Sequence, residues 1–299
     1  MRNRLEYLPL WLLVRILGAL PRPLARALGI LLARTALFLH SKLRRVGLRN
    51  LEIAFPEMPV AERKRILRKL FNSLGRQLAE FAKFPSYNRE ELSKIVIYEG
   101  FENFENARRQ GKGVLVITGH FGGWEVGSFA HSLYGNPMKI VVRDLDNPLV
   151  DALVKKYRTL HGNATIDNRE FARALLSSIR AGETVGILMD TNMTPPQGVF
   201  VDYFGVPAAT ASGLARVALK TGAAVVPGFT IWDEEIGKYK IIFEPQLELL
   251  RTEYNEADII ANTALFTKQI EKFARKYPEQ WLWVHRRWKT RPEGQPSVY

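Results

Sequence analysis

The sequence predicts an α/β domain with a central, mostly parallel sheet flanked by helices, preceded by a basic, apolar helical segment. Three observations carry this. Short apolar runs alternate with segments of helical period from about residue 100 onward, the pattern of a sheet covered by helices. Apolar residues make up 46% of the 299, enough for a packed core and against global disorder. The formal charge of +13 is concentrated at one end: residues 1–50 hold ten Lys/Arg against the single acid Glu6.

Taken in order, residues 1–50 read as two helices, "LEYLPLWLLVRILGAL" and "LARALGILLARTALFLH", separated by "PRP", where the prolines force a break. Arg15, Arg26 and Arg34 interrupt the apolar runs, and the longest uncharged stretch is eight residues, Tyr7 to Val14. A spanning helix needs about 20, so the expectation is an in-plane or shallowly inserted pair with arginines reaching toward headgroups. The bland alternative is a basic amphipathic pair packed on the protein's own core. A signal peptide is not expected, because a second apolar helix follows the proline and no small-residue cleavage site is evident. Residues 51–299 form the expected α/β domain. It opens with a helix over 60–84, where Ile66, Leu67, Leu70, Leu74, Leu78 and Phe81 fall at helical spacing. Strands are then expected at 114–118, 139–142, 185–189, 224–230 and 239–243. Helices are expected near 101–110, 124–134, 148–160, 169–181, 211–221 and 256–276. The helix at 211–221 should be capped by Thr210 or Ser212 and closed by Gly222. The C-terminal "PEQWLWVHRRWKTRP" interleaves Trp281, Trp283 and Trp288 with basic residues. That pattern suits a membrane interface or a strand with alternate residues buried.

Several chemistries are unsupported. The chain has no cysteine, so disulfides and thiolate metal sites are excluded. It contains no G-x-S-x-G, no P-loop and no H-E-x-x-H, and its five histidines are scattered; no metal is expected. The informative stretch is "VLVITGHFGGWEVG", residues 114–127. His120 follows a strand, at the carboxyl edge where α/β sheets bind ligands. Gly119, Gly122 and Gly123 leave room for a substrate against the backbone, and Glu125 falls in the first turn of the next helix. On spacing alone the pair is weak: with 30 acids among 299 residues, five histidines give about half of one such pair by chance. In this setting, Glu125 could hold one imidazole nitrogen and leave the other to take a proton from an alcohol. The alternative is a capping histidine beside an unrelated surface glutamate.

"GHFGGWE", "VVRDLDNP", "GILMD", "GVFVDYFGVPAATASGLARVALKTGAAVVP" and "PEQWLWVHRRWK" together resemble the lauroyl/myristoyl transferase family of lipid A biosynthesis, to which the phosphatidylinositol-mannoside acyltransferases are related. The resemblance runs from about residue 5 to 292. It implies a glycerolipid-acyltransferase-like fold and an acyltransferase on the cytoplasmic face of a bacterial inner membrane. Such an enzyme moves a fatty acyl chain from a thioester, on acyl carrier protein or coenzyme A, to a glycolipid hydroxyl. It needs no metal or redox cofactor. The family's H-x-x-x-x-D/E motif maps onto His120 and Glu125, its arginine onto Arg158 and its aspartate onto Asp190. By that mapping His120 is the general base and Glu125 orients it. Arg158 and the backbone N–H groups of the Gly119–Gly123 turn, Gly122 and Gly123 included, are the candidate oxyanion donors; Arg158 could instead bind a phosphate. Asp190 supports the site by pairing with a basic or hydroxyl group. The expected partners are anionic membrane lipid, the glycolipid acceptor and acyl carrier protein; nucleic acid is not expected, and the chain is expected to act as a monomer. Two other readings stay open: a non-catalytic lipid- or nucleic-acid-binding protein, and a hydrolase of acyl esters or thioesters.

Overall fold

The structure is a computed structural model that describes residues 1–167, 171–252 and 255–299. The N-terminal segment folds as α1 (Arg2–Ala19) and α2 (Arg22–Leu39), broken at the prolines, followed by α3 (Ser41–Ala54), which continues through residue 50, and α4 (Val60–Lys83). The helix α2 lies on α4 backbone to backbone. A Cβ added to Gly29 would sit 2.3 Å from the Gly75 carbonyl oxygen, and one on Gly75 2.5 Å from that of Gly29; only glycine permits this approach. The outward faces of α1 and α2 are apolar and exposed: Leu5, Leu8, Leu12 and Ile16 on α1, and Leu24, Leu31 and Phe38 on α2. These recur at helical spacing, so they form stripes rather than scattered residues. No single helix among the described residues is long and apolar enough to cross a membrane; α2 and α3 pass that test only together, bent by 89°.

The remaining elements alternate as expected, with the helix Arg89–Ser93 and the strands Val96–Glu99 and Ala164–Asp167 in addition to those the sequence indicates. After α5 (Arg89–Ser93) come β1 (Val96–Glu99), α6 (Phe101–Arg109), β2 (Val114–Thr118), α7 (Trp124–Leu133), β3 (Lys139–Val142) and α8 (Pro148–Arg158). Then follow β4 (Ala164–Asp167), α9 (Phe171–Arg180), β5 (Thr184–Leu188), β6 (Gly198–Tyr203), β7 (Val206–Ala211), α10 (Gly213–Thr221), β8 (Ala224–Asp233), β9 (Lys238–Phe243) and α11 (Glu256–Lys276). Residues 169 and 170 of the helix expected at 169–181 lie outside the described residues. Seven strands form one sheet in the order β1-β9-β8-β2-β5-β3-β4. Every pairing is parallel except β8 with β9, so the sheet is mostly parallel and flanked by helices. Along β2, Val114 and Val116 face one apolar layer built with α1, α4, α6 and α7, while Leu115 and Ile117 face another built with α3, α9, α10 and α11. Burial on both faces is why this strand reads as an unbroken apolar run.

Some local expectations change. The β6–β7 hairpin occupies a stretch that reads as loop, and Thr210 lies within β7 rather than at a cap. Ser212 does occupy the N-cap of α10, but its hydroxyl donates to the Gln197 carbonyl and caps nothing. Gly222 closes that helix at φ +72°. The C-terminal tryptophans face no membrane: Trp281, Trp283 and Trp288 are all at most 1% exposed. Alternate burial holds over 281–284, but Trp281 makes only an isolated bridge to Phe121.

Candidate active site

The parallel register of β2 and β5 builds the site. Thr118 pairs with Leu188, so both strands end at the same height. Residues two positions beyond each end are His120 and Asp190, and they meet. His120 Nδ1 lies 2.8 Å from Asp190 Oδ1, and the His120 backbone N–H donates to Asp190 Oδ2 at 2.7 Å. An ionised carboxylate only accepts, so Nδ1 carries the proton and Nε2 is left with its lone pair. Trp281 Nε1 donates to Asp190 Oδ2 at 2.8 Å, and the carboxylate is 4% exposed. Three donors therefore fix it. Gly119 lets the carboxylate come this close, since a Cβ would lie 3.0 Å from Asp190 Oδ2, tighter than an ordinary contact. The loop after Asp190 is held by the C-terminal segment: the Asn192 N–H donates to His285 Nε2, and the Thr290 N–H donates to Asn192 Oδ1.

The electrostatics of the pair oppose burial. Burial pushes the His120 imidazole toward its neutral form, but the Asp190 carboxylate and, more weakly, Glu125 outweigh it and raise the histidine above its usual value. Burial pushes Asp190 up, yet His120 and the Trp281 N–H hold it at about 2. His285 is shifted the other way, held neutral by burial.

Glu125 does not take the place the sequence spacing assigns it. Its carboxylate accepts from Arg158 Nε at 3.1 and 3.0 Å and also from Arg158 Nη2, with Trp124 Nε1 donating at 3.2 Å. The imidazole hydrogen bond goes to Asp190 instead. The reason is helical geometry: Glu125 lies in the first turn of α7 and points to the C-terminal end of α8, where Arg158 is the last residue. Glu125 still acts on His120 through its charge. The Trp124 ring stands edge-on to the imidazole at 5.1 Å and bridges the two pairs.

The glycine turn is also filled differently from expectation. The N–H groups of Phe121, Gly122 and Gly123 donate to the carbonyls of Gly119, Gln280 and Thr230, and that of His120 is held by Asp190. These four are committed and are not free to receive an oxyanion. The space at Gly122 (φ +46°) is occupied by Gln280 and the Thr230 carbonyl, and that at Gly123 by the Tyr239 ring, so both glycines serve chain packing rather than substrate approach. Arg158 remains. With Nε and Nη2 spent on Glu125, its Nη1 is the nitrogen not committed to that carboxylate. Among the described residues no group of three His, Asp or Glu could hold a metal ion.

Residues absent from the sequence-based set are Trp281, which holds Asp190, and Trp124, which bridges the two pairs. A signal for Trp281 existed in its alternation with Trp283, read as one of two options. The family model for bacterial lipid A biosynthesis acyltransferases matches residues 3–290. The chain is 33% identical over 292 residues to the lipid A biosynthesis lauroyltransferase of Escherichia coli, covering 97% of this chain and 92% of that protein. It is 29% identical to that organism's palmitoleoyltransferase over 97% of this chain and 92% of the relative. To its myristoyltransferase it is 27% identical, over 90% and 82%. The chain thus belongs to the bacterial lipid A biosynthesis acyltransferase family and is an O-acyltransferase.

Proposed function

We propose that the protein transfers a fatty acyl chain from an acyl thioester to a hydroxyl of a lipid A precursor at the cytoplasmic face of the inner membrane, with His120 as general base. The observation that carries this reading is the His120–Asp190 contact, which leaves Nε2 free to accept the hydroxyl proton. As the hydroxyl oxygen attacks the thioester carbonyl, the proton passes to Nε2 and the imidazolium is stabilised by Asp190. The tetrahedral oxyanion then collapses, the carbon–sulfur bond breaks, and the thiolate leaves with the proton returned from Nε2. The uncommitted Nη1 of Arg158 supplies the positive edge for the oxyanion, and Glu125 holds that guanidinium in place. Asp190, Trp281 and Glu125 are positioning residues in this scheme.

The donor is a thioester on acyl carrier protein, with coenzyme A as the alternative anionic carrier; the +13 charge favours either. Attachment is peripheral or shallow, through the exposed stripes of α1 and α2 with the exposed Arg4 and Arg15 of α1 at headgroup depth. Membership of a transferase family favours acyl transfer over acyl hydrolysis. The test is mass spectrometry of glycolipids from cells with and without the gene. Loss of one acyl chain from the lipid A fraction supports the reading; an unchanged lipid A with a changed pool of another glycolipid would reassign the acceptor.

A further inference from the structure

On the same sheet edge as His120, β8 and β9 extend beyond β2 as a hairpin in which Trp232 pairs with Tyr239. Their rings meet edge to face at 5.0 Å. Arg26 of α2 and Arg76 of α4 both lie over the Trp232 ring, at 4.3 and 4.9 Å from its centroid. Beside them is Glu80, fully buried, which accepts from Arg22 at 3.0 Å, Arg26 at 2.6 Å and the Tyr87 hydroxyl. Arg76 is met by Glu234 at 2.9 Å, a carboxylate on a side chain 71% exposed. Three guanidinium groups thus face two carboxylates. Five polar atoms around the ring pair are buried without a partner: Arg22 Nη2, Arg26 Nη2, Arg76 Nε, Trp232 Nε1 and Tyr239 Oη. Trp232 is 6% and Tyr239 1% exposed.

Guanidinium and indole nitrogens can only donate, and a buried donor without an acceptor is costly. Four of the five atoms donate only, and the Tyr239 hydroxyl can donate as well; a set so rich in donors calls for an anion. The uncapped N-terminus of α2, an 18-residue helix, adds its positive end to the same region. We propose that this cluster binds a phosphate group carried by an amphiphile at the membrane surface. Phosphate offers more acceptor oxygens than a carboxylate and matches the forked geometry of several arginines. An amphiphile fits because α2 turns Arg22 and Arg26 inward to this cluster while its opposite face, with Leu24 56% exposed, carries the apolar stripe. Glu234 holds the outer edge of Arg76 until the phosphate displaces it. The Tyr239 ring packs on Gly123, so the bound phosphate is one side chain away from the turn that carries His120. The phosphate belongs either to a phospholipid headgroup or to the acceptor; only the second source rests on the transferase reading.

Inorganic phosphate is the first probe, titrated against the purified full chain at constant ionic strength and followed by thermal shift. The parent protein should be stabilised saturably. Arg76→Gln, which leaves Glu80 paired with Arg22 and Arg26, should weaken binding about tenfold, and Glu234→Gln should tighten it. Vesicles of phosphatidylcholine with and without phosphatidylglycerol, and transfer assays on acceptors with and without phosphate, then separate the sources. Phosphatidylglycerol-dependent binding lost in Arg76→Gln assigns a headgroup; a KM increase confined to the phosphorylated acceptor assigns the acceptor. No saturable phosphate effect in the parent, equal effects in parent and Arg76→Gln, or an Arg76→Gln variant unchanged in both lipid assays overturns the proposal. The phosphate titration needs no turnover, so its failure is distinct from a failure of the transferase reading.

Discussion

Asp190→Asn is the substitution that probes the site most sharply, because it keeps the shape and inverts the hydrogen bonding. Asp190 receives three donors: the His120 N–H at 2.7 Å, His120 Nδ1 at 2.8 Å and Trp281 Nε1 at 2.8 Å. An amide offers one accepting oxygen and a donating NH2 in place of two accepting oxygens, so at least one of these contacts becomes donor against donor. If the NH2 faces Nδ1, the imidazole proton moves to Nε2 and the base is lost. Catalysis by a positioned base is typically worth about 10²–10⁴-fold, and most of it should vanish in kcat with acceptor KM nearly unchanged. The pH profile gives a second reading. The base works when His120 is neutral, and Asp190 raises the histidine value against the lowering effect of burial. In the parent protein the acid limb should therefore have its midpoint above the ordinary value of about 6.5, and residual activity of Asp190→Asn should titrate lower. Stability follows with opposite signs for the two partners. The contribution of Asp190 is complete above its unfolded value near 3.9 and is lost as pH falls toward about 2. The contribution of charged His120 is complete below about 6.5 and is lost as pH rises through the raised folded value. The assay is steady-state transfer from an acyl thioester to a lipid A precursor, measured across pH, with circular dichroism to check folding. A folded Asp190→Asn variant with near-parent kcat and an unmoved acid limb would refute the positioning role.

Glu125→Gln should lower transfer and move the acid-limb midpoint down by a smaller amount, since Glu125 is a lesser cause of the His120 shift; an upward move contradicts the sign. Arg158→Lys cannot reproduce the two-pronged contact with Glu125, so kcat/KM should fall for both Lys and Ala variants, and full retention by both would mark Arg158 as a surface residue. Truncating residues 1–40 would strip Arg22 and Arg26 from the buried Glu80, so membrane attachment is better tested with Leu8→Ser and Leu12→Ser together. Each fully buried leucine is worth roughly 1.5–3 kcal/mol, so co-sedimentation with anionic vesicles should weaken about a hundredfold or more, and equal co-sedimentation would contradict the stripe's role.

The strands at 114–118 and 139–142 were legible as short apolar runs, and the helices at 60–83 and 256–276 as long segments of helical period. The order of the sheet was not, since β2 lies between β5 and β8, partners fixed only by three-dimensional pairing. The same distinction runs through the site. His120 was marked by its glycine turn at a strand end. Its partner was sought five residues away, at Glu125, whereas the register of β2 against β5 supplies Asp190, 70 residues on. Trp281, 91 residues beyond Asp190, fitted an interfacial tryptophan as well as a buried one, because burial is not written in composition. Arg26 read as a headgroup arginine, yet its Nε points inward to Glu80.

The central claim, acyl transfer with His120 as the base, is tested most directly by mixing purified protein, an acyl thioester and a lipid A precursor and following the acceptor by mass spectrometry. The account predicts that the parent protein adds one ester-linked acyl chain to the precursor. It also predicts that His120→Ala, folded and still bound to vesicles, gives no measurable product. Transfer by His120→Ala at near the parent rate, or free fatty acid in place of acylated precursor from the parent protein, would contradict it.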